Sequence, residues 1–258
     1  MFMSDFLETQ VLNTLNGISY TAPGTVFLAL SSVNPGETGT IVEPIYPGYA
    51  RMPIAFSAPA PMSGGTGFQN MSEIQFAQSS QDGATITHIG VFDSLGGGNM
   101  LMYAPLNTPK QISAGVAPVL RAGEARFWLT GNFSTAFRTM ILNALRGTSI
   151  AALTPFATLY NGDPESGGTE LTGGGFLRKA IVFSSPVEQP GGQRTITNNN
   201  AVIFEVATAN LGTYDHDVIV SAETGAATVL TLRQGLTDTY ASGDRTSYDV
   251  GAYTVNLH

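Results

Sequence analysis

The chain repeats itself. VLNTLNG at Val11–Gly17 returns as ILNALRG at Ile141–Gly147, and FLAL at Phe27–Leu30 returns as ATLY at Ala157–Tyr160, both after 130 residues. GYARMPIAF at Gly48–Phe56 returns as GFLRKAIVF at Gly175–Phe183 after 127 residues; IQF at Ile74–Phe76 returns as VIF at Val202–Phe204, and His88 as His216, after 128. Blocks that keep one order with small shifts are what a duplicated unit with altered loops leaves behind. The 258 residues therefore divide into two units, 1–130 and 131–258, each long enough to bury a core. No set of reactive residues repeats with the architecture, so the duplication points to a structural part rather than an enzyme.

Each unit opens with an amphipathic helix. Ser4 caps a stripe of Leu7, Val11, Leu12 and Leu15 that Gly17 ends; Ser134 caps Phe137, Met140, Ile141, Leu142 and Leu145, ended by Gly147. Such a stripe must lie on something, and the sheet of its own unit is the expected surface. Short β segments follow, broken by Gly, Pro, Asn and Asp. The first unit is expected to hold strands at Thr25–Ser31, Arg51–Ser57, Glu73–Ala77, Ile86–Asp93, Met100–Ala104 and Arg126–Thr130. The second is expected to hold them at Phe156–Tyr160, Lys179–Ser184, Ala201–Val206, Asp217–Ala222, Thr228–Arg233 and Ala252–Leu257. The pattern predicts a mainly β protein: two tandem antiparallel β-sandwich-like domains, each with a leading helix. Their boundary falls near Gly131–Ser134. The loops differ, with Pro44, Pro47, Pro53, Pro59 and Pro61 in one unit and Gly167, Gly168 and Gly173–Gly175 near the matching place in the other.

Composition narrows the function classes. Only 12% of residues are charged against 43% hydrophobic, with 30 glycines, so much uncharged surface is available for protein contacts. The net charge of −8 comes without a basic stripe, which argues against nucleic acid as a partner. With no cysteine there is no disulfide and no thiolate chemistry. No apolar run reaches the roughly 18 residues of a membrane helix, and MFMSDFLETQ lacks the basic start of a signal peptide. Synthesis in a cytoplasm without membrane insertion is expected.

Candidate chemistry is sparse. His88 in THIGVFD, His216 in YDHDVIV and the last residue, His258, are the three histidines. A zinc or general-base site needs further ligands or a nucleophile nearby, and strand alternation turns Asp215 and Asp217 away from His216. Both repeated histidines are expected to bond a neighbouring loop. Asp163, Glu165 and Glu170 offer oxygen donors, but not at the spacing of a calcium loop, and a solvated hairpin is the expected reading. Asp215, Asp217 and Glu223 are read the same way. Glu37, Glu43, Asp82 and Glu124 fall in or beside loops, not among the aromatics that line a sugar cleft. The runs Gly96–Gly98 and Gly173–Gly175 lack the Lys-Ser/Thr of a phosphate cradle. Trp128 is expected in packing. No catalytic residue, metal ligand or cofactor site is assigned. Arg51 and Arg178 stand out: each follows an aromatic residue by two, as a buried or interface guanidinium with a carbonyl or carboxylate partner would.

Several segments carry a family resemblance. GGTELTGGGFLRKAIVF at Gly167–Phe183, NNNAVIFEVATANLGTYDH at Asn198–His216 and THIGVFDSLGGGNMLMYAPL at Thr87–Leu106 resemble small virion proteins of tailed bacteriophages that are labelled tail fibre proteins. Their units share a Gly-aromatic-x-Arg segment, an Asn-then-Phe strand and a His-x-Gly-x-Phe-Asp strand. Arg51, His88, Asp93, Arg178 and His216 hold the matching positions as structural residues. The first half keeps Gly90, Phe92 and Asp93 after its histidine where the second has Val218, Val220 and Ser221, and it lacks the GGTE element at Gly167–Glu170. The resemblance implies a virion structural protein of the tail, tail fibre, baseplate or neck that acts by assembly. Its partners would be copies of itself, as a homo-oligomer, neighbouring virion proteins and the host surface. A capsid decoration protein and a host-receptor adhesin are the rival readings.

Overall fold

The computed structural model describes residues 2–190 and 192–257; His258 lies outside them. The first half contains β1 (Phe2–Met3), α1 (Asp5–Thr14), β2 (Val26–Ser31), β3 (Met52–Ile54), β4 (Ala60–Met62), β5 (Gly65–Gln69), β6 (Ile74–Gln75), β7 (Thr85–Phe92), β8 (Met100–Gln111), β9 (Val119–Leu120) and β10 (Arg126–Leu129). The second contains α2 (Thr135–Ala144), β11 (Phe156–Asn161), β12 (Thr169–Glu170), β13 (Lys179–Ala180), β14 (Val187–Glu188), β15 (Arg194–Thr197), β16 (Val202–Ile203), β17 (Gly212–Val220), β18 (Val229–Tyr240), β19 (Ser247–Tyr248) and β20 (Thr254–Leu257). The protein is mainly β, as the turn-rich pattern predicts, and its strands pair antiparallel.

The duplication extends to the sheets. A large sheet in the order β1-β8-β7-β2-β3 is matched by one in the order β12-β11-β17-β18, with β13 also beside β11. The small sheet β10-β5-β4 is matched by β14-β15-β20 written in reverse, and the pair β6-β9 by β16-β19. Even the edge contact of β1 with β8 returns, as the bridge Phe133↔Thr231. Pro53 and Pro61 sit in β3 and β4, the outer strands of their sheets, where a residue without N–H costs no ladder bond. The strands missed from sequence are mostly two to five residues long. Among them are the centres of both small sheets: β5, whose GTGFQ is rich in glycine, and β15, whose RTIT alternates too briefly to stand out.

Each helix starts where its serine predicts. The Ser4 hydroxyl accepts from Leu7 N at 3.2 Å and donates to the Met100 carbonyl; Ser134 accepts from Phe137 N at 3.0 Å and donates to Val229 O. One side chain thus caps the helix and ties it to the long strand of its own large sheet. The opposite flank corrects the expectation that each helix rests on its own unit alone. α1 lies between β8 and β15 of the other half, and α2 lies between β18 and β5 of the other half. A single helix has stripe enough to meet two surfaces, and the duplicated unit supplies a second sheet with an uncovered face.

The exchange is close to a twofold arrangement. Tyr20 and Ile150, equivalent positions of the repeat, exchange both backbone bonds at 2.9 Å. Asn16 Nδ2 reaches Ser184 O at 2.9 Å, and its counterpart Arg146 reaches Phe56 O at 3.3 Å. Most buried apolar side chains of both halves accordingly form one continuous cluster, running from Leu7, Leu12 and Phe68 to Phe137, Phe204 and Tyr240, while Ala29, Phe92, Met100 and Tyr103 form a small one apart. A chain cut after residue 130 is expected to yield halves that do not melt cooperatively alone but regain a single transition when mixed. Differential scanning calorimetry of residues 1–130 decides it, and a stable isolated half would refute the exchanged packing.

Candidate functional site

Both copies build the same bracket around an arginine. Arg51, only 7% exposed, donates from Nε and Nη2 to Glu43 at 3.0 and 2.8 Å, and from Nη1 to Ser94 O at 3.1 Å and Gly97 O at 2.6 Å. Its guanidinium carbon also stands 3.6 Å from the centroid of the Phe92 ring. Arg178 donates to both oxygens of Glu170 at 2.6 and 2.7 Å and to Ala222 O at 2.9 Å. Each bracket joins the segment bearing the glutamate (a loop at Glu43, β12 at Glu170), the residue just before β3 or β13 and the hairpin turn of the large sheet. A planar fork with a fixed set of donors suits that task, and a lysine would not. Burial pushes the Glu170 carboxyl up, but its bonds from Arg178 and Thr158 outweigh this and hold it below the usual glutamate value. The Glu170 contact raises Arg178 in turn.

Glu43 corrects two expectations. It is not a solvated loop residue, and the first half does not lack the glutamate of the GGTE element: Glu43 occupies the place of Glu170 without the glycines. The signal was present in the sequence as a Glu followed eight residues later by Arg, in both halves. The aromatic residue two before each arginine turns into the core. Tyr49 stacks on Phe76 with centroids 5.8 Å apart, and Phe176 on Phe204 at 5.1 Å.

A second duplicated device escaped the sequence reading. Asn70, 1% exposed, donates to Ser72 O and Arg121 O at 2.8 and 2.9 Å and accepts from Ala125 N at 2.9 Å. Asn198 makes the same three bonds, to Asn200 O, to Asp249 O and from Tyr253 N, at 2.7, 2.9 and 2.8 Å. A buried amide with three of its bonds made fixes two loops against one strand. Asp93 is a turn clamp: it accepts from Asn99 N at 2.7 Å and Asn99 Nδ2 at 2.8 Å, while Ser221 accepts from Thr228 N at 2.9 Å in the matching turn. Gly98 is confined there, because its φ is +69° and an added Cβ would lie 2.3 Å from Asp93 Oδ1.

The histidines bond within their own strands, not to neighbouring loops. His88 Nδ1 lies 2.9 Å from Thr87 Oγ1, and burial pushes its pKa below the ordinary value. His216 Nδ1 lies 2.7 Å from Asp215 Oδ1, contrary to strict alternation, because a register shift between Tyr214 and His216 interrupts the ladder. Asp217 is no solvated residue either: it accepts from Arg233 at 2.6 Å and from the Tyr248 hydroxyl. Asp163, Glu165 and Glu170 serve three separate purposes. Asp163 caps a 3-10 turn at Pro164–Ser166, Glu165 accepts from the α2 backbone at Thr135, and Glu170 holds Arg178. No group of three metal-ligating residues converges among the described residues, and no helix there is long and apolar enough to cross a membrane.

Glu8 departs most from this satisfaction of polar groups, since both of its carboxyl oxygens are buried without a partner. It is fully buried on α1, and neither carboxyl oxygen has a hydrogen-bond partner among the described residues. Burial, then the nearby Glu37, push its pKa up to about 8, with Asp5 adding to the rise and Arg194 opposing it. A proton bound more tightly in the folded state makes stability fall as pH rises from the ordinary value of 4.5 toward 8. Glu8→Gln is therefore expected to raise the melting temperature at pH 8 and to change it little at pH 4.5, as thermal melts across that range would read. For the brackets, Arg51→Ala or Arg178→Ala leaves a carboxylate without its partner, and a loss of roughly 3 kcal/mol in denaturant unfolding is expected. Unchanged unfolding midpoints would remove the bracket from the fold's supports.

Compared with known proteins, the chain matches the family model described as Podophage GP4 fiber I protein gp80 over residues 2–127 and again over residues 132–256. No curated protein matches it.

Proposed function

Because the chain belongs to the podophage GP4 fiber I protein gp80 family, in two tandem copies, we propose that this virion component works by assembly, without catalysis, as a two-faced connector in a homo-oligomer of the tail or neck. Its units, taken as 1–130 and 131–258, carry one interior and two exteriors. The arginine brackets, buried asparagines and serine caps are duplicated, and they commit the polar groups that chemistry would need to internal bonds.

The observation that carries the proposal is a matched surface. In the first half, Pro53, Ala55, Glu73 and Gln75 point outward from neighbouring strands; at the equivalent positions the second half exposes Ala180, Val182, Ala201 and Ile203. One face is polar with a carboxylate and the other is apolar and uncharged, on the same backbone. Such faces suit two different neighbours, and a ring of these chains would offer a partner twice as many binding units as it has chains. The double variant Val182→Ser, Ile203→Ser should leave the melting temperature nearly unchanged, since both side chains are about half exposed or more. It should lower the copies of the chain per virion, counted by quantitative mass spectrometry. Copy number unchanged from wild type would sink the role of this face, and abundant copies spread over the capsid would favour decoration of the head.

A further inference from the structure

The two helix contacts that join the halves differ in charge. Where α1 has Glu8, α2 has Arg138, whose guanidinium stands 3.7 Å from Glu165 Oε2 and donates to Gly131 O at 3.2 Å. The strands differ in the opposite sense, since Arg194 in β15 matches Thr66 in β5. The α2–β5 contact thus takes its cation and its carboxylate from one half. The α1–β15 contact sets carboxylates of the first half against Arg194 of the second.

Glu8 lies inside that contact. It is 0% exposed, and both carboxyl oxygens lack a hydrogen-bond partner among the described residues. Facing it are Asp5 on its own helix, Glu37 on the loop after β2, Tyr103 on β8 and Arg194 on β15. Arg194 lies 3.5 Å from Asp5 Oδ1 and 3.5 Å from Glu188 Oε2, so its charge is already shared between two other carboxylates. Gly192, in the turn before β15, closes over the cluster: an added Cβ there would collide with the Glu37 carboxylate. A neutral carboxyl is tolerable in such a place, but an ionised one, without hydrogen bonds and beside like charges, is costly.

The two sides of α1 hold it unequally. Its own half bonds the start of the helix through the backbone: Ser4 N donates to Leu101 O and Asp5 N to Glu37 O, each at 3.0 Å, and the Ser4 hydroxyl donates to Met100 O. Toward β15 this end is tied by the looser Arg194–Asp5 pair. β15 also belongs to a sheet whose strands run two to four residues. Strain from a charge on Glu8 is therefore relieved most easily on the β15 side.

We propose that α1 and β15 form a proton-controlled clasp between the halves. In the closed form the Glu8 carboxyl is protonated; in the open form β15 and its small sheet part from α1 and the carboxylate ionises in water, with the α2–β5 contact still shut. Raising the pH populates the open form. A guanidinium does not titrate near neutral pH, so the matching position on α2 has no such control. The working range follows from the proton that closed Glu8 holds up to about 8, against the ordinary 4.5: opening releases one proton within that interval and none above it.

Amide hydrogen exchange of the full chain from about pH 5 to pH 9, corrected for the intrinsic rise of exchange with pH, tests the clasp. Protection of β15 and β20 amides should fall about tenfold per pH unit up to about pH 8 and then level off. At that pH it should lie roughly 100-fold or more below the protection of β5 and β10, whose contact stays shut. Equal protection in all four strands overturns the proposal, because the whole molecule is then unfolding rather than one clasp. Protection of β15 that does not change with pH overturns it as well. Glu8→Gln, which keeps the shape of the protonated carboxyl, should abolish the fall; a fall that persists assigns the proton to another group and overturns the role of Glu8. Glu37→Gln, which removes a like charge beside Glu8, should move the levelling-off to lower pH, and an unmoved one overturns the carboxylate cluster as its source.

Discussion

The structure depends on the exchange of helix contacts between its halves. Each helix is stapled by a serine to its own large sheet and presents its other flank to the small sheet of the opposite half. Leu7, Val11 and Leu12 on α1 and Phe137, Ile141 and Leu142 on α2 are fully buried as a result. At about 1.5–3 kcal/mol for each large apolar side chain removed from water, this is a large share of what a small β unit can gather. Sheets as short as β14-β15-β20, whose strands run two to four residues, would have little to hold them without that cover.

Around this shared core, polar devices do the local fixing. The Arg51–Glu43 and Arg178–Glu170 brackets lock the glutamate segment, the start of an edge strand and a hairpin together, and Asn70 and Asn198 fix the loops beside the small sheets. All lie at matched positions and answer needs that the backbone path creates in both copies. Where the copies differ inside, the need is met by another residue: Ser221 takes the task of Asp93, and Phe176 stacks where Tyr49 does. Glu8 is a place where the match was broken at a cost. Its counterpart, Arg138, sits near Glu165 at 3.7 Å, whereas Glu8 is buried near two other carboxylates.

Much of this was legible beforehand for a physical reason. Helix caps and stripes are local, so Ser4 and Ser134 marked the starts of α1 and α2 to the residue, while the helices end three residues short of Gly17 and Gly147. The longer buried strands β2, β7 and β11 carry enough apolar residues to be seen. Glu43 was hidden because its partner lies eight residues away across a loop, a distance at which sequence shows spacing but not contact. The Asp215–His216 contact was hidden because alternation assumes an unbroken ladder, and a bulge changes the facing of every residue beyond it. The small-sheet strands were hidden because two to five residues do not make a period.

By itself, the sequence determined that a mainly β unit was used twice, with a helix at the head of each copy and an arginine and a histidine at fixed places. Repetition and short-range periodicity are properties of a string, and survive without coordinates. Only the tertiary structure decided that each helix serves both halves and that Glu43 stands where the other half has Glu170. Those outcomes depend on which surfaces meet across more than a hundred residues of chain. Two copies of one pattern could have packed as separate beads. Burial of an apolar face that neither half covers alone made them one body.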